Sequence, residues 1–243
     1  MKSLLIRQAA GLGDIFFLQK IVKVCLDDGY KVIYPVFPHF MYLNDYIYHE
    51  SHEDFKFISS ESNYQFKEFY NTTQPTESDE LLYVPFSHAQ QLLNKPHNDL
   101  MTSKYYLVEH EPWDWAKYFT YKRNREREDK LYYEILNLKD DSVYDLVNKY
   151  YSSPPNSLIK DQVSSNTGNQ VVDLKYIDGI NVFDWCKVLE NATNIFSVDT
   201  SILYIMEKMQ LRCETEGGIY LWGRSGHLNV YKGLLSKKYI DMN

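Results

Sequence analysis

The chain has 243 residues, 44% hydrophobic and 16% aromatic with 22 tyrosines, a composition that buries a substantial core and excludes an intrinsically disordered chain. The formal net charge is −7, so the broad basic face that a phosphate backbone requires is not expected, and nucleic acid is not an expected partner. Three widely spaced cysteines, Cys25, Cys186 and Cys213, give neither zinc spacing nor a disulfide framework, which points to a reducing, cytoplasmic setting.

In chain order, the opening apolar run Ser3-Leu4-Leu5-Ile6 is too short for a signal peptide and reads as a buried strand over 3–7. Gly11 and Gly13 then punctuate the chain. From 15 to 26 the apolar residues Ile15, Leu18, Ile21, Val22, Cys25 and Leu26 recur at helical spacing. Gly29 sits where that helix stops, and 31–37 resumes as a strand, giving a strand–helix–strand unit of the size of a parallel crossover. Further strands are expected at 55–59 and 81–85, with an exposed loop at 71–79. Residues 113–137 are helical, and the mixed-sign run over 122–130 suits a solvated helix face. That stretch reads as the passage between two lobes.

The second half repeats the pattern. A strand over 143–151 ends at Ser152-Ser153-Pro154-Pro155, and 163–169 is a flexible polar loop. Strands at 171–176, 194–198 and 218–222 alternate with helices at 182–190 and 202–209. Nowhere does an apolar stretch approach the ~20 residues that cross a bilayer. Alternating strands and helices predict an α/β protein with two Rossmann-like lobes, residues 1–112 and 113–243, around a cleft. Ligands of such sheets bind beyond the carboxyl ends of the strands.

Two polar segments fall at such ends. In Ala10-Gly11-Leu12-Gly13-Asp14 the glycines allow a tight turn and close approach of a ligand to the backbone. Asp14 stands at the helix start, either as an N-cap or as a carboxylate able to take a proton from a hydroxyl. The dinucleotide fingerprint is absent, because the third glycine is missing. In Ser197-Val198-Asp199-Thr200-Ser201 the hydroxyls of Thr200 and Ser201 suit phosphate and Asp199 suits sugar hydroxyls, although an ordinary helix cap also explains them. His88 follows a strand and is a candidate for an acceptor pocket, Arg224 for a phosphate. No histidine pair has metal spacing.

The segment Arg7-Gln8-Ala9-Ala10-Gly11-Leu12-Gly13-Asp14-Ile15 resembles the opening of the heptosyltransferase-like glycosyltransferases (ADP-heptose:lipopolysaccharide type), enzymes of the two-lobed GT-B fold. The stretch 183–192 followed by Phe196-Ser197-Val198-Asp199-Thr200-Ser201 is similar to the donor-side segment of that family. The resemblance implies that Asp14 is the general base for an acceptor hydroxyl, with Gly11, Gly13, Arg7 and His88 on the acceptor side. It also implies that Asp199, Thr200 and Ser201 contact a nucleotide-sugar donor, with Lys149 and Arg224 near its phosphates. The expected reaction is sugar transfer to a glycan or glycolipid acceptor. The sequence has no Asp-x-Asp triplet, so no metal and no cofactor beyond the nucleotide-sugar co-substrate are expected. Ile202-Leu203-Tyr204 stand where the family places a glycine and then a histidine, and the chain is shorter than typical members. Those departures keep two alternatives open: a non-catalytic carbohydrate or nucleotide binder, or a nucleotide-sugar epimerase or hydrolase.

Overall fold

Strands of a parallel sheet are covered on both faces and so read as continuous apolar runs, and β1 (Lys2–Ile6) accordingly buries Leu4 and Ile6. It leads to α1 (Leu12–Phe17) and α2 (Gln19–Asp27), then β2 (Tyr30–Val36), β3 (Phe55–Ser59) and β4 (Glu80–Tyr83). The computed structural model describes residues 2–6, 11–49, 53–59, 80–83, 102, 104–105, 110–151, 158–224 and 233–243. The expected loop at 71–79 and the stop at 152–155 lie outside them.

The four strands form a parallel sheet in the order β3-β2-β1-β4. The helix expected over 15–26 is interrupted at Leu18, where the side-chain amide of Gln19 donates to Ile15 O at 2.7 Å. Gln19 in turn pairs with buried His49, whose Nε2 lies 2.9 Å from Gln19 Oε1. Gly29 takes φ +82°, the left-handed conformation that stops a helix, and its N–H donates to Leu26 O.

Two compact units make up the chain, Met1–Lys122 and Arg123–Asn243. The division falls after Lys122 rather than at the expected residue 112, and the packing explains it. Phe119 stacks on Phe16 at 4.7 Å and Trp115 lies 5.8 Å from Phe17. Lys122 N–H donates to Tyr46 O, and Tyr121 bridges to Ile47. Burying two large aromatic rings contributes several kcal/mol to the first unit.

The second unit has β5 (Tyr144–Asn148), a small antiparallel pair β6 (Tyr150–Tyr151) and β7 (Leu158–Ile159), then β8 (Gln170–Asp173), β9 (Asn194–Val198), β10 (Ile219–Trp222) and β11 (Ile240–Asp241). Its main sheet is parallel in the order β11-β10-β9-β5-β8. Every residue of β5 and β9 is buried.

The charge run over 122–130 is a solvated face only in part: Lys122, Asn124, Arg125, Glu126 and Lys130 are exposed, but its other members are drawn inward. Arg123 binds Glu128, which is fully buried, and Glu190, while Arg127 grips Asp184 through two nitrogens. These charge-assisted bonds tie the helix Arg125–Asp129 to the helix Cys186–Asn191 and the turn before it. The loop over 163–169 is largely exposed but anchored: Thr167 and Asn169 donate to the buried Asp145 carboxylate at 2.5 and 3.0 Å, and Asn194 donates to it at 2.8 Å. Among the described residues no helix is long and apolar enough to cross a membrane.

Candidate functional site

In both sheets the chain leaves one strand toward one edge and later returns to pair with its other side. In the first unit it runs from β1 through β2 to β3, and β4 then joins the opposite side of β1. In the second it runs from β5 to β8, and β9 joins the opposite side of β5. At such reversal points the loops beyond the carboxyl ends part and leave a crevice for ligands. The two polar segments singled out from the sequence follow β1 and β9, so each lies at the reversal point of its own sheet.

In the first unit, Gly11 is the N-cap of α1 with φ −78° and ψ 135°, and its position carries no side-chain cap bond. Gly13 lies within the first turn of the helix, and Asp14 is the third helical residue. Neither glycine uses the left-handed conformation expected of a tight turn. Gly11 serves instead by its small size: a Cβ there would sit 2.9 Å from Asp14 Oδ2. Asp14 is therefore not an N-cap. Its carboxylate curls back over Gly11 and forms an ion pair with Lys104, whose side chain is 1% exposed against 24% for Asp14. A carboxylate at a strand end, held by a buried ammonium and open to solvent on one side, can receive a proton from a bound hydroxyl. Lys104 is 90 residues away and had no local signal in the sequence. Arg7 and His88 lie outside the described residues.

In the second unit the carboxyl ends of β5, β9 and β10 bring together Asn148, Asp199, Thr200 and Arg224. Asn148 donates one amide hydrogen to Ser197 Oγ at 2.8 Å and the other to Thr200 Oγ1 at 3.0 Å. Because the Thr200 oxygen accepts there, its own proton is turned toward other acceptors. Asp199 is 6% exposed; its N–H donates to Trp222 O at 2.9 Å, and its Oδ1 accepts from the Arg224 N–H at 2.7 Å and from Arg224 Nε at 3.2 Å. Burial raises the Asp199 carboxyl above the usual range, an effect that the adjacent Arg224 opposes. Ser201 occupies the N-cap position of the helix Ile202–Met206, yet its side chain makes no cap bond. None of the three polar residues serves as an ordinary helix cap.

Lys149 follows β5, and its Nζ lies 3.9 Å from Asp173 and 5.7 Å from the centre of the Tyr150 ring. Lys160, unremarked in the sequence, donates from Nζ to Gly223 O at 3.0 Å. Asn148 was also missed, although a polar residue ending a buried apolar strand was the available signal. Asp145 lies at the other end of β5. Burial pushes its carboxyl up, but hydrogen bonds from Ser165, Thr167, Asn169 and Asn194 outweigh this and hold it below the usual range. Its position at the amino ends of the strands makes it a structural group. Among the described residues no cluster of three or more His, Cys, Asp or Glu side chains is placed to hold a metal ion.

No protein-family model matches the chain, and no curated protein matches it in sequence. Among solved structures it is similar to the crystal structure of the glycosyl transferase family 9 protein from Veillonella parvula DSM 2008, with a TM-score of 0.53 and 10% identity over 99% of this chain and 86% of that one. At that identity the likeness is one of fold alone: this chain shares with that structure an α/β fold built on parallel sheets.

Proposed function

We propose that the protein is a glycosyltransferase that moves a sugar from a nucleotide-sugar donor to the hydroxyl of a glycan or glycolipid acceptor. The observation that carries this reading is the placement of Asp14 and of the Asp199–Thr200–Arg224 group, each at the reversal point of a parallel sheet. The fold likeness to a structure titled as a glycosyl transferase, running over 99% of the chain, supports it.

In this reading Asp14 accepts the proton of the acceptor hydroxyl as its oxygen bonds to the anomeric carbon of the sugar. The bond from that carbon to the diphosphate breaks, and the nucleoside diphosphate departs with the electron pair. Thr200 and Ser201 donate hydroxyl hydrogens to its oxygens, and the Arg224 guanidinium offsets the charge that develops there. No divalent metal is assigned a step, since the sequence has no Asp-x-Asp triplet and hydroxyls with cations can fill the same role.

The test is turnover of a panel of nucleotide sugars by the Asp14→Asn and Asp14→Ala proteins, with nucleoside diphosphate binding measured in parallel. Loss of a positioned general base lowers turnover by about 10²–10⁴-fold, and binding of the diphosphate is unchanged. Full turnover in both variants removes the base assignment.

One observation favours a second reading, a non-catalytic sugar or nucleotide binder. Ile202, Leu203 and Tyr204 fill the first turn after Ser201 and are all buried, so that turn offers no exposed side chain to a donor. Diphosphate binding without turnover of any nucleotide sugar in the panel selects that reading.

A further inference from the structure

Lys149 and Lys160 lie side by side, for the Lys160 N–H donates to Lys149 O at 2.9 Å. Their ammonium groups part in opposite directions across the sheet. Lys149 reaches Asp173 at the end of β8, the outer neighbour of β5. Lys160 reaches Gly223 O just beyond β10, across the end of β9 and over the reversal point. Gly223 is joined to Arg224, which Asp199 holds at two points. Lys160 Nζ therefore meets the chain at the residue immediately before Arg224, on the side of the sheet where the chain reverses.

We propose that Lys160 and Arg224 form a two-cation clamp for a phosphate or diphosphate group, that Asp199 acts as the positioning residue for Arg224, and that Lys149 takes no part. The proposal rests on the reading of the second unit as the donor side and names which side chains hold the phosphates. An ammonium has three hydrogens. Gly223 O takes one from Lys160, and among the described residues no carboxylate pairs with it. Lys149 instead faces the carboxylate of Asp173. Arg224 presents a planar donor set suited to phosphate oxygens, with its side chain 48% exposed while that of Asp199 is 9% exposed. Asp199, turned to the Arg224 backbone and Nε, orients the guanidinium and leaves the sugar to other groups.

The experiment is calorimetric titration of the full chain with ADP, UDP, GDP and inorganic pyrophosphate, in the wild type and in Lys160→Gln, Lys160→Arg, Lys149→Gln and Asp199→Asn. The clamp predicts that Lys160→Gln weakens whichever diphosphate the wild type binds by about tenfold or more, and that Lys160→Arg stays within about threefold. Lys149→Gln changes affinity by less than about twofold, and Asp199→Asn weakens it. The salt dependence of binding flattens in Lys160→Gln and not in Lys149→Gln, a readout that a merely structural lysine does not move. Unchanged binding in Lys160→Gln, or a tenfold loss confined to Lys149→Gln, overturns the clamp while the donor reading stands. Pyrophosphate binding with the predicted dependence, but no binding of the three nucleotides, upholds the clamp and overturns the donor reading. No binding of any probe overturns both.

Discussion

Removing Asp14 should destabilise the first unit more than removing Lys104, even though both changes break the same ion pair. The pair is asymmetric: the Lys104 side chain is 1% exposed and that of Asp14 is 24% exposed. Asp14→Ala leaves an ammonium in the interior without that carboxylate, and breaking a buried pair in this way costs ~3–5 kcal/mol. Lys104→Met leaves a carboxylate that water already reaches, so the cost falls to about 1–2 kcal/mol. The double variant carries neither charge and should lie near the Lys104→Met value, so the coupling in the double-mutant cycle equals the cost of Asp14→Ala, ~3–5 kcal/mol. For a unit of this size a loss of about 3 kcal/mol lowers the melting temperature by roughly 10 °C. Thermal unfolding followed by circular dichroism, with hydrogen exchange of the α1 and α2 amides to localise the effect, measures all three variants. Equal losses in the two single variants, or the reverse order, would refute the buried-lysine account.

Gly11→Ala should lower both turnover and the melting temperature, because the new Cβ would sit 2.9 Å from Asp14 Oδ2 and pushes that carboxylate away from Lys104; paired kinetics and melting curves check it, and no change in either contradicts the contact. Acid stability should depend on Asp145, whose carboxyl is held below the usual range by four side-chain hydrogen bonds against the opposing effect of burial. A depressed folded value contributes stability that is complete above the unfolded carboxyl value of ~3.9 and is lost as the pH falls toward the folded value. Urea titrations between about pH 6 and 3 should therefore show a shallower acid loss in Asp145→Asn than in the wild type, and parallel curves would contradict the hydrogen-bonded carboxylate.

What the sequence disclosed and what it hid divide along the range of the interactions. The strand at 194–198 is read correctly because a strand buried on both faces is an uninterrupted apolar run. Gly29 marks a helix stop because the left-handed conformation favours glycine. The break at Leu18 is hidden because apolar spacing continues through it, while Gln19 caps the gap with a side chain. Glu128 looks solvated among its neighbours, but one partner of the arginine that binds it, Glu190, lies 67 residues from that arginine. The two polar segments after β1 and β9 are legible because polar residues after an apolar strand stand out locally. Lys104 and Lys160 are not, since each gains its place only when the sheet brings distant strands together.

The most direct test is release of nucleoside diphosphate from a panel of nucleotide sugars, supplied with mixed glycan and glycolipid acceptors, by the wild type and by Asp14→Asn at a temperature where both are folded. The account predicts acceptor-dependent release by the wild type, a fall of about 10²-fold or more in Asp14→Asn, and equal diphosphate affinity in the two proteins. Undiminished release by Asp14→Asn would contradict it.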